Sequence, residues 1–253
     1  MGVLASNSCK PYTLIMKFFN SIKTTSLVLL ITVSASLTAI AQNSKNISVK
    51  AFNEITVSSG IDLYLTQANN ETVTIKGNED LIKDVIVEQR GGLLIIKYKD
   101  GISWGRMFKN ESIKAYVNFK SIKALIASGG SDVFTQNNLK ADALKLIASG
   151  GSDLKLTLAV KDLSLTVSGG SDAVLKGSGE NLIATASGGS DIDAFAYIVN
   201  NAKIAASGGS DANVFVNKAL EASASGGSDV SYKGNAALKK TSSSKSGDVR
   251  RVK

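Results

Sequence analysis

Seven aspartates recur through the second half of the chain at nearly equal steps: Asp132, Asp153, Asp172, Asp191, Asp211, Asp229 and Asp248. If a repeating fold brings them into line, neighbouring carboxylates stand about 5 Å apart, the spacing of stacked strands. Like charges that close repel, and something must offset the repulsion. Calcium is one answer, because it takes carboxylate and carbonyl oxygens from flexible loops. The other is that each carboxylate accepts hydrogen bonds from the backbone amides of its own turn, with water and salt screening what remains. Calcium-binding β-rolls place several Asp and Gly residues in each repeat of about nine. One Asp per repeat is sparse by comparison, so the turn reading takes precedence. A calcium ladder over Asp132 to Asp229 is the alternative, and no other cofactor is expected.

A serine stands just before six of these aspartates: Ser131, Ser152, Ser171, Ser190, Ser210 and Ser228. Their parity is inward, which reads as a hydrogen-bonded internal stack. A nucleophilic role would need a base, and the chain has no histidine. Ser-His and Cys-His catalysis and imidazole metal sites are thereby excluded. A polysaccharide lyase or hydrolase would instead need paired carboxylates or a basic side chain. Asp191 and Asp193, on one side of a strand, come nearest to a pair, and Arg106 with Glu111 is a second possibility. Such pairs are usually solvated surface, so no catalytic residue is assigned. Trp104, Arg106, Met107 and Phe108 lie in one aperiodic stretch. Trp is enriched in binding hot spots, making these four a candidate contact surface; the competing reading folds them back over the first coil. Phe195 and Phe215, each four residues after an Asp, read as a core ladder.

The elements that position these residues follow from the motif SGGSD, which begins at Ser128, Ser149, Ser168, Ser187, Ser207 and Ser225. Degenerate copies begin at Ser58 and Ser244. A period of about 20 residues marks a solenoid, each repeat one coil stacked on the next. Each motif carries a glycine pair: Gly129 and Gly130, Gly150 and Gly151, Gly169 and Gly170, Gly188 and Gly189, Gly208 and Gly209, Gly226 and Gly227. These twelve read as structural turn residues at corners between strands, where positive φ suits glycine. Apolar residues alternate with polar ones on both sides of each corner, as in Leu165, Val167 and Ala173, so one strand face is buried. Three short strands fit in each coil. The chain therefore reads as all-β: a right-handed parallel β-helix, a three-sided β-solenoid of about 20 residues per coil. Residues 42–50 read as a polar lead-in, 51–253 as one solenoid domain, 63–115 as its irregular section and 116–253 as its regular coils. Within 63–115, Gly91-Gly92 predicts a hairpin, and Asn78 is placed to cap one helical turn over Glu79 to Lys83. Lys239, Lys240, Arg250, Arg251 and Lys253 crowd the last coil, where charge would discourage pairing with another molecule.

Ahead of the solenoid, Lys17 and Lys23 precede an apolar stretch from Ser26 to Leu37 and then Ala39-Ile40-Ala41. This reads as a secretory signal peptide over residues 1–41 with an A-x-A cleavage site, too short and too rich in Ser and Thr for a transmembrane anchor. Residues 1–15, ahead of Met16, read as a misplaced start. Cleavage removes Cys9 and Pro11, the only cysteine and the only proline. An exported protein without disulfides must rely on burial and backbone pairing, and continuous ladders suit a chain without proline. Loss of Lys10, Lys17 and Lys23 lowers the net charge from +8 to +5. The remaining lysines are dispersed, with no basic stripe interleaved with aromatic residues, so no nucleic-acid partner is expected. No transmembrane span or lipoprotein cysteine is expected in the mature chain.

With the coils placed, the sequence resembles the auto-transporter adhesin head GIN domain family, found in secreted proteins of the Bacteroidetes. The resemblance runs from about residue 50 to the end. It rests on the strand-turn-strand from Phe52 to Leu65, the Gly91-Gly92 hairpin, the serial SGGSD corners and Tyr232-Lys233-Gly234-Asn235. Gly60-Ile61-Asp62 stands where the family name suggests Gly-Ile-Asn. The resemblance implies a right-handed three-sided solenoid and a place in the cell envelope; with the signal peptide, the expected location is the periplasm, the cell surface or the medium. The expected coils run to the last residue, which leaves no room for a membrane translocator. The expectation is a non-enzymatic binding or adhesive role toward an unidentified envelope or host glycan or protein. A polysaccharide-active enzyme and a spacer without a specific ligand are the alternatives.

Overall fold

The computed structural model describes residues 43–101, 112–241 and 246–253. The expected signal peptide and the contact candidates Trp104, Arg106, Met107 and Phe108, with Glu111, lie outside the described residues. In chain order the strands are β1 (Ser44–Ile47), β2 (Glu54–Val57), β3 (Asp62–Gln67), β4 (Thr72–Lys76), β5 (Val85–Arg90), β6 (Leu93–Tyr98), β7 (Lys114–Phe119), β8 (Ala124–Ser128) and β9 (Val133–Thr135). They continue with β10 (Leu139–Ser149), β11 (Leu154–Ser168), β12 (Asp172–Ser178), β13 (Asn181–Ser187), β14 (Asp191–Ser207), β15 (Asp211–Ser225), β16 (Asp229–Lys233), β17 (Ala237–Lys240) and β18 (Asp248–Arg251). The fold is an all-β solenoid of about seven turns with about 19 residues per turn. Strands such as β11 and β14 run unbroken around more than one side, where short strands were expected.

Two columns of parallel strands meet at the SGGSD corners. Before the corner the order is β6, β2, β8, then the later parts of β10 and β11, β13, and the later parts of β14 and β15, ending at β17. After the corner it is β7, β3, β9, the first part of β11, β12, the first parts of β14 and β15, then β16 and β18. The corner serines stand in register from Ser128 through Ser149, Ser168, Ser187 and Ser207 to Ser225. Alternate residues point inward and are fully buried; Leu125, Leu146, Leu165, Ala184, Ile204 and Ala222 make one such column. The narrow interior explains why these are aliphatic or small.

The corners are built the same way each time. Both glycines of every pair have positive φ, from 61° at Gly129 to 78° at Gly227. The expectation of a shared need for glycine is corrected in one respect, because the two positions are constrained differently. The first glycine looks toward the corner before it: a Cβ on Gly169 would sit 3.2 Å from the backbone nitrogen of Gly150. The second does not. A Cβ on Gly130, Gly151, Gly170, Gly189, Gly209 or Gly227 would meet open space, so these six answer to backbone angle alone. Ser59, at φ 71°, is the one described non-glycine residue with positive φ. It occupies the first-glycine position of the first corner of the chain, so its side chain points away from the coils above.

The first coil of the sequence is not at the end of the stack. β2 and β3 lie between the layer of β6 and β7 and the layer of β8 and β9, and Ile61 donates its N–H to Ser131 Oγ at 3.1 Å. The SSGID turn is thus a true member of the corner column, and the irregular section stacks beneath it. That end is closed by antiparallel strands: β5 on β6 through the two-residue Gly91-Gly92 turn, and β4 on β7. Residues 44–47 of the expected polar lead-in form β1 and extend this cap by pairing with β4. The single helical turn, α1 (Glu79–Ile82), begins at Asn78, whose side chain accepts from the Asp80 amide.

Coils of unequal length keep their corners aligned by taking up the difference elsewhere. β14 shifts register against β15 after Ala194, and this bulge turns Tyr197 inward. Its hydroxyl donates to the Val160 carbonyl at 3.0 Å, in space left by Gly179. Phe195 and Phe215 are half-buried on the outside rather than in a core ladder, and Lys233 Nζ lies 4.8 Å over the Phe195 ring. The bulge takes Phe195 out of step with Phe215, which faces Ile198 instead.

This asymmetry of the corner predicts unequal costs. Gly170→Ala should cost about 1–2 kcal/mol for the left-handed conformation alone. Gly169→Ala should cost clearly more, because backbone must also move. A common loss for both variants in thermal or denaturant unfolding would contradict this close approach.

Candidate functional site

Inside each corner the serine hydroxyl closes the coil-to-coil contact. The N–H groups of Ser131, Ser152, Ser171, Ser190 and Ser210 donate to the Oγ of the serine one coil further on, at 3.0 to 3.3 Å. All six serines are fully buried. The partner of each hydroxyl is a backbone amide. This column is structural.

Outside the corner the aspartates form their own column. Asp172 faces Asp191, Asp211 faces Asp229, and Asp229 faces Asp248. The turn reading expected each carboxylate to bond its own Gly-Gly corner; four of the seven reach the next coil instead. Asp132 Oδ1 accepts from the Asp153 amide at 3.2 Å, and Asp172, Asp191 and Asp211 accept in the same way from Asp191, Asp211 and Asp229. The strands' parallel stacking puts the next coil's amide within reach. Asp153 pairs with Lys155 at 3.5 Å. Among the described residues no three carboxylates converge as a metal site. Burial, with the nearby charges of Asp153 and Asp62, pushes the Asp132 carboxyl above the ordinary Asp range, against the Asp153 amide and Lys155, which pull it down.

Asp193 Oδ1 accepts from the Phe195 amide at 3.3 Å, so Asp191 and Asp193 are both exposed and both engaged with backbone. The described residue with a buried carboxylate, Asp84, lies in the cap, where it pairs with Lys99. Burial, assisted by the Asp84 charge, pushes the neighbouring Tyr98 hydroxyl up to about 12.

Two features of the surface were not anticipated. The first is a stack of aromatic rings on the outer face after the corner. Tyr64 lies between Tyr116 and Phe134, with centroids 4.9 and 5.1 Å apart and ring planes inclined by 16° and 18°. Lys76 Nζ covers the far side of Tyr116 at 4.8 Å, and Lys155 Nζ that of Phe134 at 5.6 Å. β3, β7 and β9 bring the rings together because β3 is inserted between the other two. A partial signal was present: Tyr64 and Phe134 each stand two residues after the corner aspartate.

The second is a groove of about 960 Å³ across the coils, lined by Ser121 to Lys123, Lys140 to Lys145, Asp162 to Ser164, Asn181 and Ile183. It lies beside Gln67, the last residue of β3, which bonds to the lining residue Lys140. The Gln67 side chain donates to the carbonyls of Lys120 and Lys140 and accepts from the Lys140 amide.

With this solenoid and its surfaces defined, the comparisons with known proteins identify the class. The family model described as "Putative auto-transporter adhesin, head GIN domain" matches residues 51–236, and the chain belongs to that family. Its solved relatives share the fold. A "putative adhesin" from Bacteroides fragilis NCTC 9343 is 20% identical, with a TM-score of 0.76 over 85% of this chain and 98% of the other. A "putative adhesin" from Parabacteroides merdae ATCC 43184 is 23% identical with a TM-score of 0.67, and a "putative lipid binding protein" from Parabacteroides distasonis ATCC 8503 is 18% identical with a TM-score of 0.65. Both of these also cover 85% of this chain and 98% of their own. No curated protein matches the chain in sequence. Among the described residues no helix is long and apolar enough to cross a membrane.

Asp132 offers a test of the outer column. Its raised folded-state affinity for the proton means the ionised form is disfavoured by folding, so its charge costs stability above the ordinary Asp range and the cost vanishes as pH falls below it. Asp132→Asn keeps the acceptor for the Asp153 amide and should melt higher than the wild type at pH 7 but level with it near pH 3. Asp132→Ala also removes the charge but loses that acceptor, and should be less stable than Asp132→Asn by about 0.5–1.5 kcal/mol at pH 7. A melting point for Asp132→Asn below that of the wild type at pH 7 would mean the charge is stabilising.

Proposed function

We propose that the protein is an exported envelope solenoid whose outer face after the corner binds an oxygen-rich polymer, a glycan of the envelope or of a host, without transforming it. The observation that carries this reading is the Tyr116–Tyr64–Phe134 stack. Its ring faces are occupied by one another and by Lys76 and Lys155, so what remains for a partner is ring edges, two phenolic hydroxyls and lysine ammonium groups. Aromatic edges carry the positive part of the ring quadrupole. All of these groups favour acceptors, which sugar hydroxyls and carboxylates supply in abundance. The rings are held on a rigid sheet, so a partner gains contact area with little loss of side-chain freedom. Membership in an adhesin family agrees with such a role. Export rests on the sequence of residues 1–41, and the mass of the exported protein is expected to begin at Gln42.

The test is sedimentation of the exported protein with a panel of insoluble polysaccharides, with the supernatant assayed for new sugar ends. Saturable retention on at least one polymer without cleavage is expected. Replacing Tyr64 and Tyr116 together by Ala should weaken it at least tenfold, as loss of an interface anchor does, in a protein that still unfolds cooperatively. Full retention by that variant would remove the stack from the site; no retention on any polymer would overturn the glycan reading. Release of new sugar ends would replace it with the enzymatic one.

A further inference from the structure

We propose that the groove beside Gln67 is a second binding site, for a single-chain anionic amphiphile of the fatty-carboxylate kind. Its floor is apolar: Ile122, Leu144 and Leu163 are buried beneath it, and Ala141 and Ala143 line it with little bulk. Ile183 lies in the same groove with 56% of its surface exposed, although a solvent-facing strand position normally carries a polar residue. Its register neighbours Ser164 and Lys203 follow that rule. The volume is within the range of small-ligand sites, about 300–1,000 Å³.

The rim fixes the charge of the occupant. Lys123, Lys140 and Lys145 border the floor, and none of their ammonium groups forms an ion pair among the described residues. The rim also carries two carboxylates, Asp142 and Asp162, the second accepting from Asn181 Nδ2 at 2.6 Å, so the three lysines outnumber the opposing charges by one. An acyl chain on the floor with its carboxylate toward the lysines buries the exposed isoleucine and gives the cations a partner. The aromatic stack contributes none of the lining residues, so this site stands or falls apart from glycan binding.

The experiment titrates the exported protein with saturated carboxylates of 8 to 14 carbons below their micelle-forming concentrations, and with the matching alcohols, by calorimetry. One-to-one binding is expected, tightening by up to about fourfold per added methylene, with each carboxylate bound more tightly than its alcohol. Ile183→Glu should abolish binding. Lys123→Gln, Lys140→Gln and Lys145→Gln together should bring the carboxylate down to the level of the alcohol. Should these variants fold poorly, a diazirine-labelled carboxylate photolysed on the unaltered protein should mark Lys140–Lys145 or Asn181–Ile183. No saturable binding, equal affinity for carboxylate and alcohol, full binding by a folded Ile183→Glu variant, or labelling elsewhere would each overturn the proposal.

Discussion

The structure depends on one repeated hydrogen bond, from the backbone amide of a buried corner serine to the hydroxyl of the serine in the next coil, made five times from Ser131 to Ser210. At the corner the chain turns through two left-handed residues, and the amide that follows points into the interior, away from any strand carbonyl. A buried amide without a partner costs about 1–3 kcal/mol. The hydroxyl supplies the partner, and it does so only if the next coil places its own serine directly above. Register is therefore fixed at the corner. Coils whose serine-to-serine spacing ranges from 18 to 21 residues must take up the difference on the far side, as the bulge at Phe195–Tyr197 does. Asp132, Asp172, Asp191 and Asp211 repeat the device at the surface, each lending an oxygen to the amide of the next coil.

The pattern changes at the start of this column. Ile61 takes the serine position of the first corner of the chain: it donates its N–H to Ser131 Oγ as the serines do among themselves, and its apolar side chain is fully buried in the core. Ser59 takes the first-glycine position of the same corner with φ at 71°.

The repeat itself was legible because its chemistry is local. Gly-Gly answers to backbone angles and alternation answers to burial, so the solenoid, the corners, the Gly91-Gly92 hairpin and the Asn78 cap could all be read from neighbouring residues. The difference within each glycine pair could not, since the crowding of Gly169 comes from Gly150, a full coil away. Pairings between distant segments were hidden for the same reason. Nothing near Glu54 says that β2 will lie between β6 and β8, and without that insertion Tyr64 cannot be placed between Tyr116 and Phe134. β1 was hidden because three of its four residues, Ser44 to Asn46, are polar and exposed, leaving Ile47 alone and no alternation to detect. The groove is invisible for a related reason, since its lining comes from segments as far apart as Ser121 and Ile183.

Both candidate surfaces are consequences of this rigid register, and neither needs a moving part. The most direct test of the account is amide hydrogen exchange on the folded protein, read residue by residue. The amides of Ser131, Ser152, Ser171, Ser190 and Ser210 should exchange only through global unfolding, with the same protection as the central residues of β11. Fast exchange at those serines beside well-protected strands would show that the corners do not hold the coils in register.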